Sequence, residues 1–156
     1  METVYIKTPL GIARIIGDEN GISTISVSDE GEISATIPMV LQEAVFQLDD
    51  YFEGKRINFT FKLNPSGTEF QQKVWRELLE IPFGKTMSYL ELSKKMGDVK
   101  AIRAVASANG KNPLWIVVPC HRVIGTDGSL TGYAGGLWRK KWLLGHENPT
   151  SQQSLF

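Results

Sequence analysis

The hydrophobic pattern of this 156-residue chain changes near residue 66, and the change limits the fold to one built from two different parts. The first part contains the segments TVYIKT, GIARIIGD and GISTISVS, which are rich in Ile, Val and Thr and are separated by turn residues. This pattern predicts a small antiparallel sheet. Apolar residues at spacings of three and four predict an amphipathic helix over 38–53 that Gly54 ends, and INFTF (57–61) is predicted as a further short strand.

The second part is predicted to be mainly helical. Thr68 is a candidate cap for a helix with a continuous apolar stripe. Two short helices follow over 88–96 and 101–109, the first with a capping-box pattern of Ser88 and Glu91, and together they predict a helix-turn-helix. An apolar run (LWIVV), a glycine-rich loop and an amphipathic helix (LWRKKWLLGHE) come next.

These elements predict an α+β chain with an N-terminal α/β domain (1–66), a mainly helical domain (67–148) and a flexible C-terminal tail (149–156). Residues 1–66 carry 5 Lys/Arg against 10 Asp/Glu, whereas residues 67–156 carry 12 against 7. The excess of positive charge has two interpretations. Either the second part faces a polyanion, or its helices simply have solvated charged faces.

Composition excludes several classes of protein. One cysteine and two histidines cannot form a disulfide framework, or a zinc site without carboxylate ligands, so no metal or other cofactor is expected. The N-terminus lacks a basic segment followed by an apolar one, and no apolar run approaches the ~18 residues of a membrane span. We therefore predict a soluble monomer of a reducing compartment, the cytoplasm, with no membrane partner.

The single cysteine lies in the segment IVVPCHRVI. Pro119 restricts its own backbone and that of Val118, so Cys120 is predicted to follow a buried apolar strand with a rigid exit. The thiolate is the reactive form of cysteine, and a histidine can activate it. His121 is adjacent, and Glu147 in the last helix is a candidate to orient an imidazole. A Cys–His–carboxylate relay is one interpretation, and a small buried hydrophobic residue without reactivity is the other.

The helix over 101–109 has the sequence AIRAVASAN, in which small residues surround a single arginine, Arg103. One interpretation is tight packing against another helix. The other is close approach to the DNA minor groove, which is only ~6 Å wide and excludes bulky side chains. In that case Arg103 would reach into the base stack.

Several motifs together resemble one known family. They are SY (88–89), RAV (103–105), NP (112–113), PCHRVI (119–124), GYAGG (132–136) and WLLGHE (142–147). From about residue 70 to residue 147 they closely resemble the O6-alkylguanine-DNA alkyltransferases. The N-terminal part is similar to that family only in its architecture.

The resemblance implies a DNA repair protein that transfers an alkyl (methyl) group from O6 of guanine to Cys120, with O4 of thymine as a second candidate atom. His121 would take the thiol proton through a water, Glu147 would orient His121, and Asn112 would brace the turn around the thiol. No second nucleophile removes the resulting thioether. The chain would thus be a methylated-DNA–protein-cysteine methyltransferase whose transfer is irreversible, each molecule acting once.

The resemblance also implies that the helix-turn-helix binds the minor groove of double-stranded DNA and that the alkylated guanine is flipped into a pocket. Arg103 would fill the gap in the duplex, Tyr89 would donate to guanine N3, and Tyr133 with the glycine loop would cover the base. Ala134 stands where many relatives have serine, and Trp115 stands where several have a smaller residue on the pocket wall. The other candidates are Val123 for the substrate and, for DNA, Ser88, Ala101, Ala104, Ser107, Lys111 and Arg122.

Three rival interpretations stay open: a non-catalytic alkylation-damage-binding protein on the same scaffold, a Cys–His thiol hydrolase, and a DNA-binding module with a structural cysteine. Damage sensors of the first kind carry Trp in place of the cysteine, which Cys120 contradicts. A separate motif, QQSLF (152–156), resembles the peptides that bind the bacterial sliding clamp, with Gln152, Leu155 and Phe156 as the anchors.

Overall fold

The structure, a computed structural model, describes residues 1–130 and 133–149. Contacts divide the chain into two compact units: residues 1–66 with Pro113–Trp115, and residues 67–112 with the described residues from Ile116 onward. The predicted α+β class is confirmed. No helix in the described part of the chain is long and apolar enough to cross a membrane. The predicted tail, of which only Pro149 is described, stays a prediction.

The first unit contains strands β1 (Glu2–Thr8), β2 (Gly11–Asp18) and β3 (Gly21–Ser28), a 3-10 helix (Met39–Leu41) and helix α1 (Gln42–Phe52). The strands form an antiparallel sheet in chain order, as the sequence predicts. The register places Val4 opposite Ile15 and Ile15 opposite Ile25, and all three are fully buried. Because side chains alternate between the two faces of a strand, this register gives the sheet one continuous apolar face.

The predicted strand over 57–61 is wrong, because that segment forms no strand. Two residues later, Leu63 makes an isolated bridge with Ile22. The Gln47 side chain hydrogen-bonds the backbone of this segment, since its Oε1 accepts from the N–H of Thr60 at 2.8 Å. The ring of Phe59 packs on Tyr51 of α1, with ring centroids 5.5 Å apart. The segment over 57–61 therefore packs on α1 and does not pair with a strand of the sheet.

Within the described residues, the α-helices and strands of the second unit are α2 (Glu69–Leu78), β4 (Met87–Ser88), α3 (Tyr89–Lys95), α4 (Ile102–Gly110), β5 (Val123–Ile124) and α5 (Leu137–Glu147). Thr68 caps α2, and Ser88 caps α3 in a capping box with Glu91, both as predicted. The predicted helix-turn-helix is formed by α3 and α4. The indole N–H of Trp75 in α2 donates to the carbonyl of Ala108 at 2.9 Å and so fixes α2 against α4.

The apolar segment before the cysteine is buried but forms turns in place of the predicted strand. Ile116 has a φ of 74°, a left-handed conformation that is rare for a β-branched residue. Asn112 Nδ2 donates to the carbonyl of Val118 at 2.8 Å, and Pro119 has no N–H to offer a neighbouring strand. Local bonds therefore replace a strand ladder, and the chain turns directly into the short 3-10 helix Cys120–Arg122.

Candidate active site

Cys120 is the first residue of the 3-10 helix and is only 5% exposed. Its N–H donates to the carbonyl of Val118 at 2.8 Å, the same carbonyl that Asn112 holds. The Asn112 side chain also hydrogen-bonds the thiol. The Asn112 amide thus lies against both the thiol and the turn that carries it, and its bracing role stays a prediction.

His121, Glu147 and Arg122 form a buried cluster. His121 Nε2 lies 2.8 Å from Glu147 Oε2, and this carboxylate also accepts from Arg122 Nε at 2.7 Å and Nη2 at 3.0 Å. Arg122 Nη1 donates to the carbonyl of Ile81 at 2.7 Å. The cluster joins the turn after α2, the 3-10 helix and the last turn of α5, which lie far apart in the sequence.

The electrostatics of this cluster favour the neutral form of His121. Burial lowers the pKa of His121, which favours the neutral imidazole. Burial disfavours the charged form of Glu147, but its bonds to His121 and Arg122 outweigh burial and hold its pKa well below the usual value. A neutral imidazole that donates from Nε2 to a carboxylate has its lone pair on Nδ1. That atom is buried and has no hydrogen-bond partner among the described residues.

A buried lysine, which the sequence analysis did not single out, lies beside the thiol. Lys140 in α5 is fully buried, and its Nζ donates to the carbonyl of Val123 at 2.6 Å. Burial raises the pKa of the Cys120 thiol to about 11, although the Asn112 hydrogen bond and the positive charge of Lys140 both act to lower it. Burial lowers the pKa of Lys140 to about 8. A sequence signal existed, since Lys140 is seven residues before Glu147 and so lies on the same face of α5.

A cavity of about 660 Å³ opens between α4 and the loops that follow the 3-10 helix. Its volume lies within the ~300–1,000 Å³ of small-molecule sites. Four predicted site residues line it: Tyr89, Arg103, Tyr133 and Ala134. Burial raises the pKa of Tyr133, so its hydroxyl stays protonated. The sequence analysis did not predict the other lining residues: Ile102, Ala106, Gly110, Gly125 and Thr126.

Asn109 connects the cavity to the nucleophile. It is 3% exposed, and its Nδ2 lies 3.5 Å from the Tyr89 hydroxyl oxygen and 3.5 Å from the Cys120 carbonyl oxygen. Its Oδ1 is buried without a partner among the described residues. The sequence analysis missed Asn109, although an amide four residues after the fully buried Val105 is an unusual choice for the inner face of a small-residue helix.

The outer face of α4 carries most of the predicted DNA-binding side chains. Arg103, Ser107 and Lys111 follow at intervals of four and are exposed, and Ala104 is exposed beside them. Ala101, just before α4, is half-buried. The result is a narrow stripe with two positive charges and otherwise small side chains.

Four predicted site residues lie elsewhere. Ser88 is buried, and its hydroxyl accepts from the N–H of Glu91 at 3.0 Å, as a helix cap. The Arg122 guanidinium is bonded inside the cluster, so it does not offer a phosphate the free donors expected of a DNA contact. Val123 is fully buried, with its carbonyl bonded to Lys140. Trp115 belongs to the first unit, where its N–H donates to Ile25 at 3.0 Å.

Two family models match the chain in succession. The one described as "6-O-methylguanine DNA methyltransferase, ribonuclease-like domain" matches residues 1–65, and the one described as "6-O-methylguanine DNA methyltransferase, DNA binding domain" matches residues 69–149. Together they span almost the whole chain and include every residue of the buried cluster.

Similar proteins and solved structures indicate the same family. A methylated-DNA–protein-cysteine methyltransferase of Mycobacterium leprae is 56% identical over 144 residues, which is 89% of this chain and 87% of that protein. One from Methanosarcina acetivorans is 45% identical over 92% of this chain and 96% of that protein. The crystal structure of Mycobacterium tuberculosis OGT in complex with DNA has a TM-score of 0.86 at 41% identity and covers 100% of this chain and 99% of that one. With matches that extend from the sheet to the buried cluster, the chain belongs to the 6-O-methylguanine DNA methyltransferase family.

Proposed function

We propose that this protein repairs DNA by transferring an alkyl group, in particular methyl, from O6 of guanine to the sulfur of Cys120, with O4 of thymine as a second substrate atom. The observation that carries the proposal is the arrangement of the only thiol beside a neutral histidine held by a buried carboxylate. The cavity also lies close to Cys120, since Asn109 contacts both Tyr89, which lines it, and the Cys120 carbonyl.

The proposed reaction is a direct displacement. The thiol proton passes through a water molecule to His121 Nδ1, and Glu147 stabilises the imidazolium that forms. The sulfur then bonds to the alkyl carbon as the bond from that carbon to O6 breaks, and guanine leaves with the electron pair. Tyr89 donates to guanine N3 and so stabilises the leaving base. The product thioether has no group to cleave it, so each molecule reacts once.

DNA recognition is proposed to use the exposed stripe on α4. Small side chains at Ala104 and Ser107 would allow the helix to enter the minor groove, while Lys111 contacts a phosphate and Arg103 occupies the space of the flipped base. Residues 67–148 would therefore bind DNA and accept the alkyl group as a monomer. The reaction requires a reduced thiol, which the cytoplasm maintains.

Intact mass tests the proposed function. The protein is incubated with a duplex that contains O6-methylguanine, and we expect a gain of one methyl group on Cys120 that stops at one equivalent. Cys120→Ala is the control and should gain nothing. Continued turnover would indicate a thiol hydrolase, and tight binding without transfer would indicate a damage-binding protein; either result contradicts the proposal.

Arg103→Ala tests base flipping. Without the side chain that fills the gap in the duplex, we expect transfer from duplex DNA to slow about tenfold, because roughly 1–2 kcal/mol of compensation for unstacking is lost. Transfer from the free base O6-methylguanine should be unchanged, since nothing is unstacked. Single-turnover rates on the two substrates provide the comparison, with Lys94→Ala, on exposed α3 surface, as a matched loss of charge. Equal losses on both substrates would show that Arg103 does not act in flipping.

The QQSLF motif lies outside the described residues, and we propose that it binds a bacterial sliding clamp. Its apolar anchors Leu155 and Phe156 would enter a pocket, and the ordering of the peptide would oppose binding. Deletion of residues 152–156 should abolish clamp recovery in a pull-down and leave alkyl transfer unchanged. Equal recovery of the clamp by both proteins would exclude this role.

A further inference from the structure

Asn109 is a buried polar side chain that takes no part in the proposed reaction as described above. It lies on α4, which also provides the DNA-binding stripe, yet its amide points inward toward Tyr89 and Cys120. Burying an amide is costly unless its hydrogen-bonding groups are satisfied, and the Oδ1 of Asn109 has no partner among the described residues. A hydrophobic residue would fill this position at lower cost, so the amide calls for an explanation in the chemistry of the site.

The neighbouring groups determine which way the amide faces. The Cys120 carbonyl oxygen can only accept hydrogen bonds, so the group that faces it must be the donor, Nδ2. The reverse orientation would place Oδ1 against that carbonyl, with two acceptors in contact. Nδ2 therefore also faces the Tyr89 hydroxyl, and there the phenol oxygen has to accept. Both contacts are 3.5 Å long, as catalytic hydrogen bonds often are before substrate is bound.

A phenol that accepts through its oxygen keeps its own proton for another acceptor. Tyr89 lines the cavity, so it can donate that proton to a base that enters it. Donation to the phenol oxygen also polarises the O–H bond and makes Tyr89 a stronger donor. From this we infer that Asn109 is a positioning residue that sets Tyr89 as a hydrogen-bond donor to the bound base, with its own orientation fixed by the backbone of the nucleophile. This inference rests on the proposed alkyl transfer.

A double-mutant cycle of Asn109→Leu and Tyr89→Phe tests the inference, with single-turnover transfer from an O6-methylguanine duplex as the readout. Tyr89→Phe should slow transfer roughly 10²-fold, as expected for loss of a group that assists departure of the base. Asn109→Leu should slow it about tenfold, since one hydrogen bond to the phenol is lost. In the Tyr89→Phe background, the same Asn109→Leu change should cost at most about threefold, because the group it acts on is gone.

Two further measurements separate positioning from general disruption of the site. The rate of Cys120 alkylation by iodoacetamide involves no base, so Asn109→Leu should leave it within about twofold of the wild type. Asn109→Asp places an acceptor beside the phenol and the carbonyl, so it should slow transfer more than Asn109→Leu does. Glu80→Gln, at an exposed position outside the proposed site, is the control for a substitution elsewhere in the same unit.

Two results would overturn the inference: additive losses in the cycle, or a fall in iodoacetamide reactivity as large as the fall in transfer. Either result would mean that Asn109 only stabilises the turn that carries Cys120. A variant that fails to fold would show itself by circular dichroism, and Asn109→Ser, which keeps a small polar group, then replaces Asn109→Leu in the cycle. The proposed function is tested separately by the wild type, because a wild-type protein that transfers no methyl group contradicts the function, whereas additivity contradicts only the role of Asn109.

Discussion

Glu147→Gln should reduce both alkyl transfer and stability more than any other single change in the buried cluster. The carboxylate accepts from His121 and is bonded by two nitrogens of Arg122, all of them buried. Removing its charge leaves the Arg122 guanidinium without a counter-charge, and loss of one member of a buried pair costs about 3–5 kcal/mol. The imidazolium of the proposed reaction would lose its stabilising anion, so the rate should fall at least about 10²-fold.

Urea unfolding and single-turnover transfer measure the two effects of Glu147→Gln, and Glu80→Gln, on an exposed residue, is the control. The pH dependence provides a second readout. Because the pKa of Glu147 in the folded protein lies below its ordinary value of 4.5, the carboxylate stabilises the fold above about pH 4.5, and this stabilisation is lost as the pH falls further. The variant should lack this part of the acid-induced loss. Wild-type-like stability in Glu147→Gln would contradict the arrangement described for the cluster.

Lys140→Met should have opposite effects on stability and on reactivity. At neutral pH the folded protein holds a buried ammonium whose pKa is about 8, against 10.5 for a free lysine. The difference between these pKa values corresponds to a cost in folding free energy on the order of 3 kcal/mol. The unbranched apolar side chain of methionine removes this cost but also loses the hydrogen bond to Val123. We therefore expect the free energy of unfolding to rise by about 1–3 kcal/mol. The thiol loses a neighbouring positive charge, so its pKa should rise and transfer should slow at least about tenfold.

The linkage gives Lys140→Met a distinctive pH signature. A lysine with a lowered pKa in the folded state costs stability below about pH 8, and the cost is relieved as the pH rises from about 8 toward 10.5. The raised pKa of Cys120 acts in the opposite direction above about pH 9. The wild type should thus gain stability between pH 8 and about 9, and Lys140→Met should not. Lys141→Met, at the exposed neighbouring position, keeps Lys140 and is the control, so it should gain stability between pH 8 and about 9 as the wild type does. Absence of that gain in Lys141→Met, or its presence in Lys140→Met, would exclude burial of Lys140 as the cause.

The sequence was sufficient to predict features that depend on neighbours along the chain. The capping residues Thr68 and Ser88 lie where the local pattern placed them, and α5 covers the residues that its periodicity predicted. The segment over 57–61 was mispredicted because its apolar residues alternate as in a strand, while a distant side chain, Gln47, takes up its backbone. Local pattern could not reveal that competition.

In the candidate site, too, residues close in sequence were predicted better than contacts between distant segments. Cys120, His121 and Glu147 were predicted as a set, and the structure brings His121 and Glu147 into contact while Cys120 opens the turn that carries His121. Arg122 was predicted to contact DNA, but its guanidinium is bonded to Glu147 and to the carbonyl of Ile81, which is 41 residues away in the sequence. Lys140 and Asn109 were missed for a related reason, since each is buried against groups from other segments.

The buried cluster also has a consequence for the order in which the protein acquires reactivity during synthesis. His121 and Glu147 are 26 residues apart, and chains are made from the N-terminus, so the thiol exists before the carboxylate that holds its base. Until residue 147 has left the ribosome, His121 has no partner to set its tautomer, and Arg122 has no anion to draw it inward. A nascent chain would therefore carry Cys120 without the base and carboxylate of the proposed reaction, and alkyl transfer would begin only once the second unit has folded.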